Sequence, residues 1–284
     1  MEIGFIGLGH LGKTIARHLK EEGFSLSVWN RTKEKAADLG VPIAATPADL
    51  IKNVDIIVIN LFDSAAVESI LTGNDGLLSG NCKGKLIIDT TTNHFESAAR
   101  FHERVHEAGA FYLECPVLGS VGPASAGALT VLVSGNKMEY ERARPVLEKM
   151  GKKIFWLKEP GLATKMKLIN NLVLGSLMAT GAEAVALGEA VGIPREEVVD
   201  IILSGAGNSA VLNGKRENLA HATFPTQFSS ALIYKDLHYL QDLCRAIRKP
   251  LFTGSIIKEM FGLARSGQID NEDFSAVYKI FSRY

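Results

Sequence analysis

Gly4-Phe5-Ile6-Gly7-Leu8-Gly9-His10-Leu11-Gly12 decides the fold of this chain. The apolar run Glu2–Ile6 reads as a strand, the glycines follow the spacing G-x-G-x-x-G, and a helix is expected from about His10 to Glu22. In a strand–turn–helix setting each glycine has its own physical reason. The first permits the tight turn, the second lets a pyrophosphate approach the backbone, and the third lets helix and strand pack closely. Unpaired N–H groups at the start of a helix then attract phosphate charge. The spacing therefore predicts a dinucleotide-binding turn made of Gly7, Leu8, Gly9, His10, Leu11 and Gly12.

Outward from this turn, short apolar runs alternate with amphipathic stretches. Strands are expected at Ser25–Trp29, Asp55–Asn60, Lys85–Asp89, Phe111–Glu114, Leu129–Ser134 and Lys153–Trp156. Helices are expected at Lys33–Leu39, Ser64–Leu71, Phe95–Ala108 and Met138–Met150. The run Asp55–Asn60 is apolar throughout its interior, as a parallel strand buried on both faces requires. Such alternation implies parallel crossovers and a doubly wound Rossmann sheet. After Pro160-Gly161 strand-like alternation stops. A helix of unusual length is expected to about Val191, ending at Gly192-Ile193-Pro194, with further helices at Arg195–Leu203, around Leu232–Arg248, at Ser255–Ser266 and at Asp273–Phe281. The expected organisation is an α/β Rossmann domain over residues 1–160 and an all-helical substrate and dimerisation domain over 161–284, joined by the long helix.

The bulk properties narrow the class. The 31 basic and 31 acidic residues cancel, which leaves no long-range field to attract nucleic acid or an anionic membrane surface. Three cysteines, far apart in the sequence, give neither a disulfide framework nor a zinc spacing and suit a reducing compartment. The N-terminus has no basic region before its apolar residues, so it does not read as a signal peptide. Asn170, Asn171, Glu183 and Glu189 interrupt the apolar stretch Leu168–Val191, which reads as a core helix rather than a membrane span. The expected location is the cytoplasm.

The end of the second strand bears on cofactor choice. An NAD site places Asp or Glu there to bind the ribose hydroxyls. This chain has Asn30-Arg31-Thr32: Asn30 does not repel a 2′-phosphate, Arg31 offers charge-assisted bonds to it, and the Thr32 hydroxyl adds another. The expected cofactor is NADP, with NAD possible. Further on, Lys167 and Asn171 stand four residues apart on one helix face among Leu168, Ile169, Leu172 and Val173. Polar groups in apolar surroundings demand a partner or a ligand. A lysine there suits proton transfer to a carbonyl oxygen as hydride reaches the carbon, and Asn171 would orient the substrate or the lysine. Lys165 is the rival, on a different face from Asn171.

Five segments in order strengthen this reading. They are the glycine turn, Asn30-Arg31-Thr32, Asp89-Thr90-Thr91-Thr92, the stretch Glu114–Ser120 through Gly127-Ala128-Leu129, and the Lys167/Asn171 segment with Phe228 and Lys235-Asp236-Leu237. Together they resemble the β-hydroxyacid dehydrogenase family over nearly the whole chain. That family includes 3-hydroxyisobutyrate dehydrogenases, tartronate semialdehyde reductases and glyoxylate/succinic semialdehyde reductases. The resemblance implies that Lys167 is the general acid/base and Asn171 its substrate-orienting partner. It implies that Thr92 lies by nicotinamide and substrate, and that Leu61 and Phe62 lie along the cofactor. Leu118, Gly119 and Ser120 would form the loop that takes the substrate carboxylate. Phe228, Lys235 and Asp236 would close over the site, with Lys235 near the cofactor. It also implies a homodimer or homotetramer.

Two departures stand out. The family loop usually reads Asp-Ala-Pro-Val-Ser-Gly-Gly, whereas this chain has Glu114, Cys115 and Leu118 at three of those positions. Leu118 removes a hydroxyl, so Gly119 and Ser120 must carry more of the carboxylate binding. Leu11 replaces the commoner methionine, a swap conservative in volume. His102 and His106 have metal-ligand spacing but stand on what reads as a solvated helix, and no metal is expected. Cys115 reads as a packed small residue, and Lys33-Glu34-Lys35 as an exposed face. The expected activity is NADP(H)-dependent interconversion of a small semialdehyde or keto acid and its hydroxyacid. The alternatives are an imine reductase, which Lys167 disfavours and the apolar Leu118 favours, and a non-catalytic NADP-binding protein.

Overall fold

The computed structural model describes residues 2–283. In chain order the first unit contains β1 (Glu2–Ile6), α1 (His10–Glu21), β2 (Ser25–Trp29), α2 (Pro47–Lys52), β3 (Ile56–Ile59), α3 (Ser64–Thr72), β4 (Leu86–Asp89), α4 (Phe95–Glu107) and β5 (Phe111–Glu114). These are followed by β6 (Val117–Leu118), α5 (Val121–Ser125), β7 (Leu129–Val133), α6 (Lys137–Met150), β8 (Gly151–Trp156) and the start of α7 (Leu162–Ala190). Lys33–Leu39 and Leu77–Ser79 are 3₁₀ segments. The chain divides into compact units at 1–167 and 168–284, so the division falls inside α7.

Five strands form a parallel sheet in the order β2-β1-β3-β4-β5. An isolated parallel bridge from Val28 to Ile43 adds a remnant strand outside β2. Strand order reverses between β1 and β3, the switch point at which open α/β sheets bind ligands beyond the carboxyl ends of their strands. A smaller sheet, β6-β7-β8, is linked to the first by the antiparallel bridge Glu114–Ser134.

The alternation of a strand dictates both cores. Ile3, Phe5, Ile56, Val58, Leu86, Ile88 and Leu113 point to one face, where they meet Ile15 and Leu19 of α1 and Val146 and Leu147 of α6. Ile6, Ile57, Ile59, Ile87 and Tyr112 point to the other, against Val67 and Leu71 of α3 and Phe101 and Val105 of α4. Because both faces are covered, the strands are apolar at nearly every position.

The second unit, from Leu168 onward, is helical: the rest of α7, then α8 (Arg195–Ser204), α9 (Ala210–Asn213), α10 (Arg216–His221), α11 (Ser230–Ala246), α12 (Phe252–Ser266) and α13 (Tyr278–Phe281). A 3₁₀ turn at Phe274–Val277 precedes α13. The length and hydropathy of α7 fit a membrane span, but Leu168, Asn171, Met178, Ala179, Ala182 and Val185 are buried in the protein.

The expected strands form within a residue or two of their sequence bounds. The region Lys33–Leu39 is 3₁₀ rather than α-helical, and the helix read at Asp273–Phe281 begins as 3₁₀. The elements α2, β6, α5, α9 and α10, all six residues or shorter, are not legible in the sequence. Segments that short carry too few periods for a hydrophobic pattern to register.

Candidate active site

The three glycines of the turn differ in what a side chain would meet. Gly7 has φ +96, and a Cβ there would stand 2.1 Å from the carbonyl oxygen of Asn60. A Cβ on Gly12 would stand 2.1 Å from the carbonyl oxygen of Gly7. A Cβ on Gly9 would meet no protein atom within 4 Å. Gly7 and Gly12 are thus glycines because of the protein's own packing, whereas at Gly9 only something outside the chain could object to a side chain. Gly9 also caps α1 without a side-chain hydrogen bond, and no acid occupies the first turn. The exposed N-terminus of this helix, positive in its dipole, fits a dinucleotide pyrophosphate.

Asn30 does more than avoid repulsion. Its Oδ1 accepts the amide of Leu8 at 2.8 Å and its Nδ2 donates to the carbonyl of Thr32 at 2.7 Å. The residue closing β2 thereby ties the glycine turn to the loop carrying Arg31. Arg31 and Thr32 are exposed. The 3₁₀ segment that follows is pinned to α1: Asp38 pairs with Lys13 at 2.6 Å and Arg17 at 2.9 Å, and Lys20 donates to the carbonyl of Leu39.

Two loops continue the carboxyl edge of the sheet. After β3, Asn60 donates to the Thr90 hydroxyl at 2.9 Å and the amide of Leu61 donates to the Thr91 hydroxyl at 3.0 Å. Phe62 is half exposed, just before Asp63 caps α3 through the amide of Ala66. After β4, Asp89 is buried beneath the threonine turn that ends in Thr92. Its carboxylate accepts the amide of Thr91, Nδ2 of Asn93 and the Tyr112 hydroxyl at 2.6–2.8 Å. Burial pushes the Asp89 carboxyl up, and these donors only partly offset it. Burial, then the neighbouring Asp89, pushes the Tyr112 phenol well up.

The loop Leu118-Gly119-Ser120 runs from β6 into α5. Leu118 pairs with Thr130 and is half-buried. Gly119 has φ +120, and a Cβ there would press on the Leu129 side chain at 2.8 Å. Buried Cys115 has its thiol pushed well up by burial, which suits a packing residue rather than a nucleophile. The ammonium of Lys167 donates to the carbonyl oxygen of Val117 at 2.8 Å, directly before this loop. The rival Lys165 lies back over Gly161, its Nζ 3.5 Å from where a Cβ on that glycine would be.

In the second unit Asn171 is fully buried and donates to Oδ2 of Asp236 at 2.6 Å. Oδ1 of Asp236 lies 3.1 Å from Nζ of Lys235, which also stands 5.1 Å over the Tyr239 ring. Phe228 is half-buried, edge-on to Phe274, and its amide donates to Oδ2 of Asp273. Buried Asp273 also accepts Lys215 at 2.8 Å and the amides of Gln227 and Ser275. Within unit one, therefore, Lys167 is joined to Val117, directly before the Leu118–Ser120 loop. Within unit two, Asn171, Asp236 and Lys235 form one polar chain.

Glu114, Ser134, Thr164, Asn60 and Asp273 organise these segments, and nothing in the sequence marks them out for that role. His102 reads in the sequence as part of a solvated helix, and the structure corrects this. His102 is only 17% exposed and its Nε2 lies 2.9 Å from Glu114 Oε1, whereas His106 is exposed. No helical or strand spacing signals this contact in the sequence, because Glu114 stands twelve residues away on another element.

The family model for the NAD binding domain of 6-phosphogluconate dehydrogenase matches residues 2–157. The model for the NAD-binding domain of NADP-dependent 3-hydroxyisobutyrate dehydrogenase matches residues 161–281. The chain belongs to the β-hydroxyacid dehydrogenase family. As a member of that family it is an NAD(P)-binding oxidoreductase. It is 33% identical to glyoxylate/succinic semialdehyde reductase 1 of Arabidopsis thaliana over 288 aligned residues, covering 100% of both chains. Among solved structures it is similar to 3-hydroxyisobutyrate dehydrogenase of Salmonella typhimurium, with a TM-score of 0.93, 28% identity, and 99% and 100% of the two chains covered. It is also similar to Psf3 in complex with NADP+ and 2-OPP, with a TM-score of 0.90, 28% identity and the same coverage.

Proposed function

We propose that this member of the family is an NADP(H)-dependent reductase of small semialdehydes or keto acids, able to run in reverse as a hydroxyacid dehydrogenase. The observation that carries the reading is the Lys167 ammonium, hydrogen-bonded to Val117 at the entrance to the Leu118–Ser120 loop.

Backbone N–H groups of the turn Gly7–Gly12 hold the pyrophosphate, and Arg31 and Thr32 hold the 2′-phosphate. A bound NADPH supplies a hydride to the carbonyl carbon. Leu61, Phe62 and Thr92 line the nicotinamide side, and Lys235 neutralises charge near it. Amides of Gly119 and Ser120, with the Ser120 hydroxyl, receive the substrate carboxylate in place of the family's usual serine at position 118. Lys167 delivers a proton to the carbonyl oxygen, so that C=O becomes CH–OH and the lysine is left neutral. Asn171, held by Asp236, orients the oxygen, and Phe228 excludes water. Lys167 and Asn171 stand four residues apart in the sequence of α7, the spacing that puts two side chains on one helix face.

The self-association reading is supported by large apolar side chains exposed on the helical unit: Val173, Leu187, Phe252, Ile256 and Leu263. A homodimer or homotetramer would cover them. Three unpaired thiols suit a reducing compartment, and we place the enzyme in the cytoplasm.

The deciding experiment is NADPH oxidation at 340 nm against succinic semialdehyde, glyoxylate, other small semialdehydes and 2-keto acids, and cyclic imines, repeated with NADH. Turnover of a carbonyl acid with NADPH preferred, abolished in Lys167→Ala while NADPH still binds, is expected. Activity confined to imines, or full activity in Lys167→Ala, would overturn the reading.

A further inference from the structure

Glu114 is one of the positions at which the chain departs from the usual family loop, and it is buried to 1% exposure. An ionised carboxylate that deep needs every lone pair answered. Four donors reach it. Oε1 takes the amide of Gly161 at 2.5 Å and Nε2 of His102 at 2.9 Å, while Oε2 takes the amide of Thr164 at 3.2 Å and the Thr164 hydroxyl at 2.5 Å. Burial would raise the Glu114 carboxyl, but His102, Thr164 and Gly161 together bring it below the ordinary carboxylate range. The group is therefore held as an anion.

Two of those bonds come from Thr164 in the first turn of α7 and a third from Gly161 just before it. The amide of Ala163 is taken by Oγ of Ser134 at 2.5 Å. Glu114 and Ser134 are themselves a reciprocal backbone pair, N to O at 3.1 and 3.0 Å, and they form the bridge that links the two sheets. The otherwise unpaired amides at the start of the helix are thus answered by two side chains fixed on a rigid cross-strand pair. An anion at a helix N-terminus is favoured by the dipole as well. Lys167 is three residues beyond Thr164, on the same helix face, and its ammonium meets the carbonyl of Val117, three residues beyond Glu114. The segment from Glu114 to Val117 therefore grips α7 at two successive turns.

We propose that Glu114 is a positioning residue for the reaction: by holding the first turn of α7 it sets where Lys167 presents its proton. The inference rests on the role given above to Lys167. Replacing one carboxylate oxygen by an amide nitrogen sets a donor against converging donors, so Glu114→Gln should free the first turn without touching cofactor or substrate.

The test compares wild type, Glu114→Gln, Thr164→Val and Lys167→Ala with NADPH and the best carbonyl substrate from the panel. Amide exchange of residues 161–167 is followed by mass spectrometry, and NADPH binding by fluorescence. In Glu114→Gln the expected results are exchange in that segment at least tenfold faster and kcat down 10- to 100-fold. KM should stay within threefold, NADPH should bind one per chain with Kd within twofold, and the pH profile of kcat should shift by half a unit or more. Thr164→Val, which removes one donor and leaves the carboxylate, should lose three- to tenfold in kcat and decides the matter if Glu114→Gln does not fold. Unchanged kcat in both variants would overturn the proposal. So would a fall in kcat matched by lost NADPH stoichiometry, which marks general damage. If Lys167→Ala retains turnover, the lysine reading fails first. If Lys167→Ala is inactive and Glu114→Gln is not impaired, only the positioning role fails.

Discussion

The amide of Leu8 donates to Oδ1 of Asn30 at 2.8 Å, across 22 residues of sequence. The side chain that closes β2 therefore holds the turn that follows β1, and its other end fixes Thr32. Asn30→Asp keeps the acceptor for Leu8 but sets an oxygen against the Thr32 carbonyl and a negative charge beside Arg31. NADPH affinity should fall at least tenfold and the preference should move toward NADH, as read by fluorescence titration of both cofactors.

Arg31 is exposed and adjoins this anchor. A hydrogen bond to a charged group contributes roughly 1.5–3 kcal/mol. Arg31→Ala should therefore weaken NADPH roughly 10- to 100-fold while NADH affinity stays within twofold. Equal losses for both cofactors would remove Arg31 from the 2′-phosphate site.

The glycines give a contrast within six residues. Gly12→Ala forces a methyl to 2.1 Å from the Gly7 carbonyl, so it should destabilise the fold by about 1–3 kcal/mol in urea unfolding and weaken cofactor binding as well. Gly9→Ala meets no protein atom within 4 Å. It should leave stability unchanged and weaken only the cofactor. A stability loss in Gly9→Ala would place that residue's constraint in the protein instead.

Lys215 and Asp273 form a buried ion pair beneath the Phe228 segment, with side-chain exposures of 8% and 0%. Removing one partner of such a pair typically costs about 3–5 kcal/mol, because the other charge remains buried. Asp273→Ala should lower the unfolding free energy measured in urea by about that much, and it should raise the substrate KM by releasing the Phe228 amide.

Glu114 and Asp89 shift in opposite directions, which fixes the sign of their pH effects. Glu114 is held below its ordinary value of 4.5. Its contribution to stability is present above that value and lost as pH falls through the lower folded value. Asp89 is raised above 3.8, so its contribution is present below that value and lost as pH rises through the folded value. Thermal melts from pH 7 to 3 should show Glu114→Gln less stable than wild type at pH 7, with the difference closing below about pH 4.5. A constant difference across that range would mean Glu114 is not held as the anion.

The sequence by itself determined the strands, the glycine turn, the long helix and the positions of Arg31, Lys167 and Asn171. These follow from local physics: alternation along a strand, periodicity along a helix, and glycine where a side chain cannot fit. The resemblance to the family rests on the same short segments. Only the tertiary structure decided what holds them. The carboxylate of Glu114 reaches Thr164 across 50 residues, Lys215 reaches Asp273 across 58, and Asn171 reaches Asp236 across 65. No periodicity links such partners, because a buried charge is answered by whatever donor the folded chain brings to it. His102 shows the limit most plainly: its helix reads as solvated, and only the strand packed beside it supplies the carboxylate that gives the imidazole a partner.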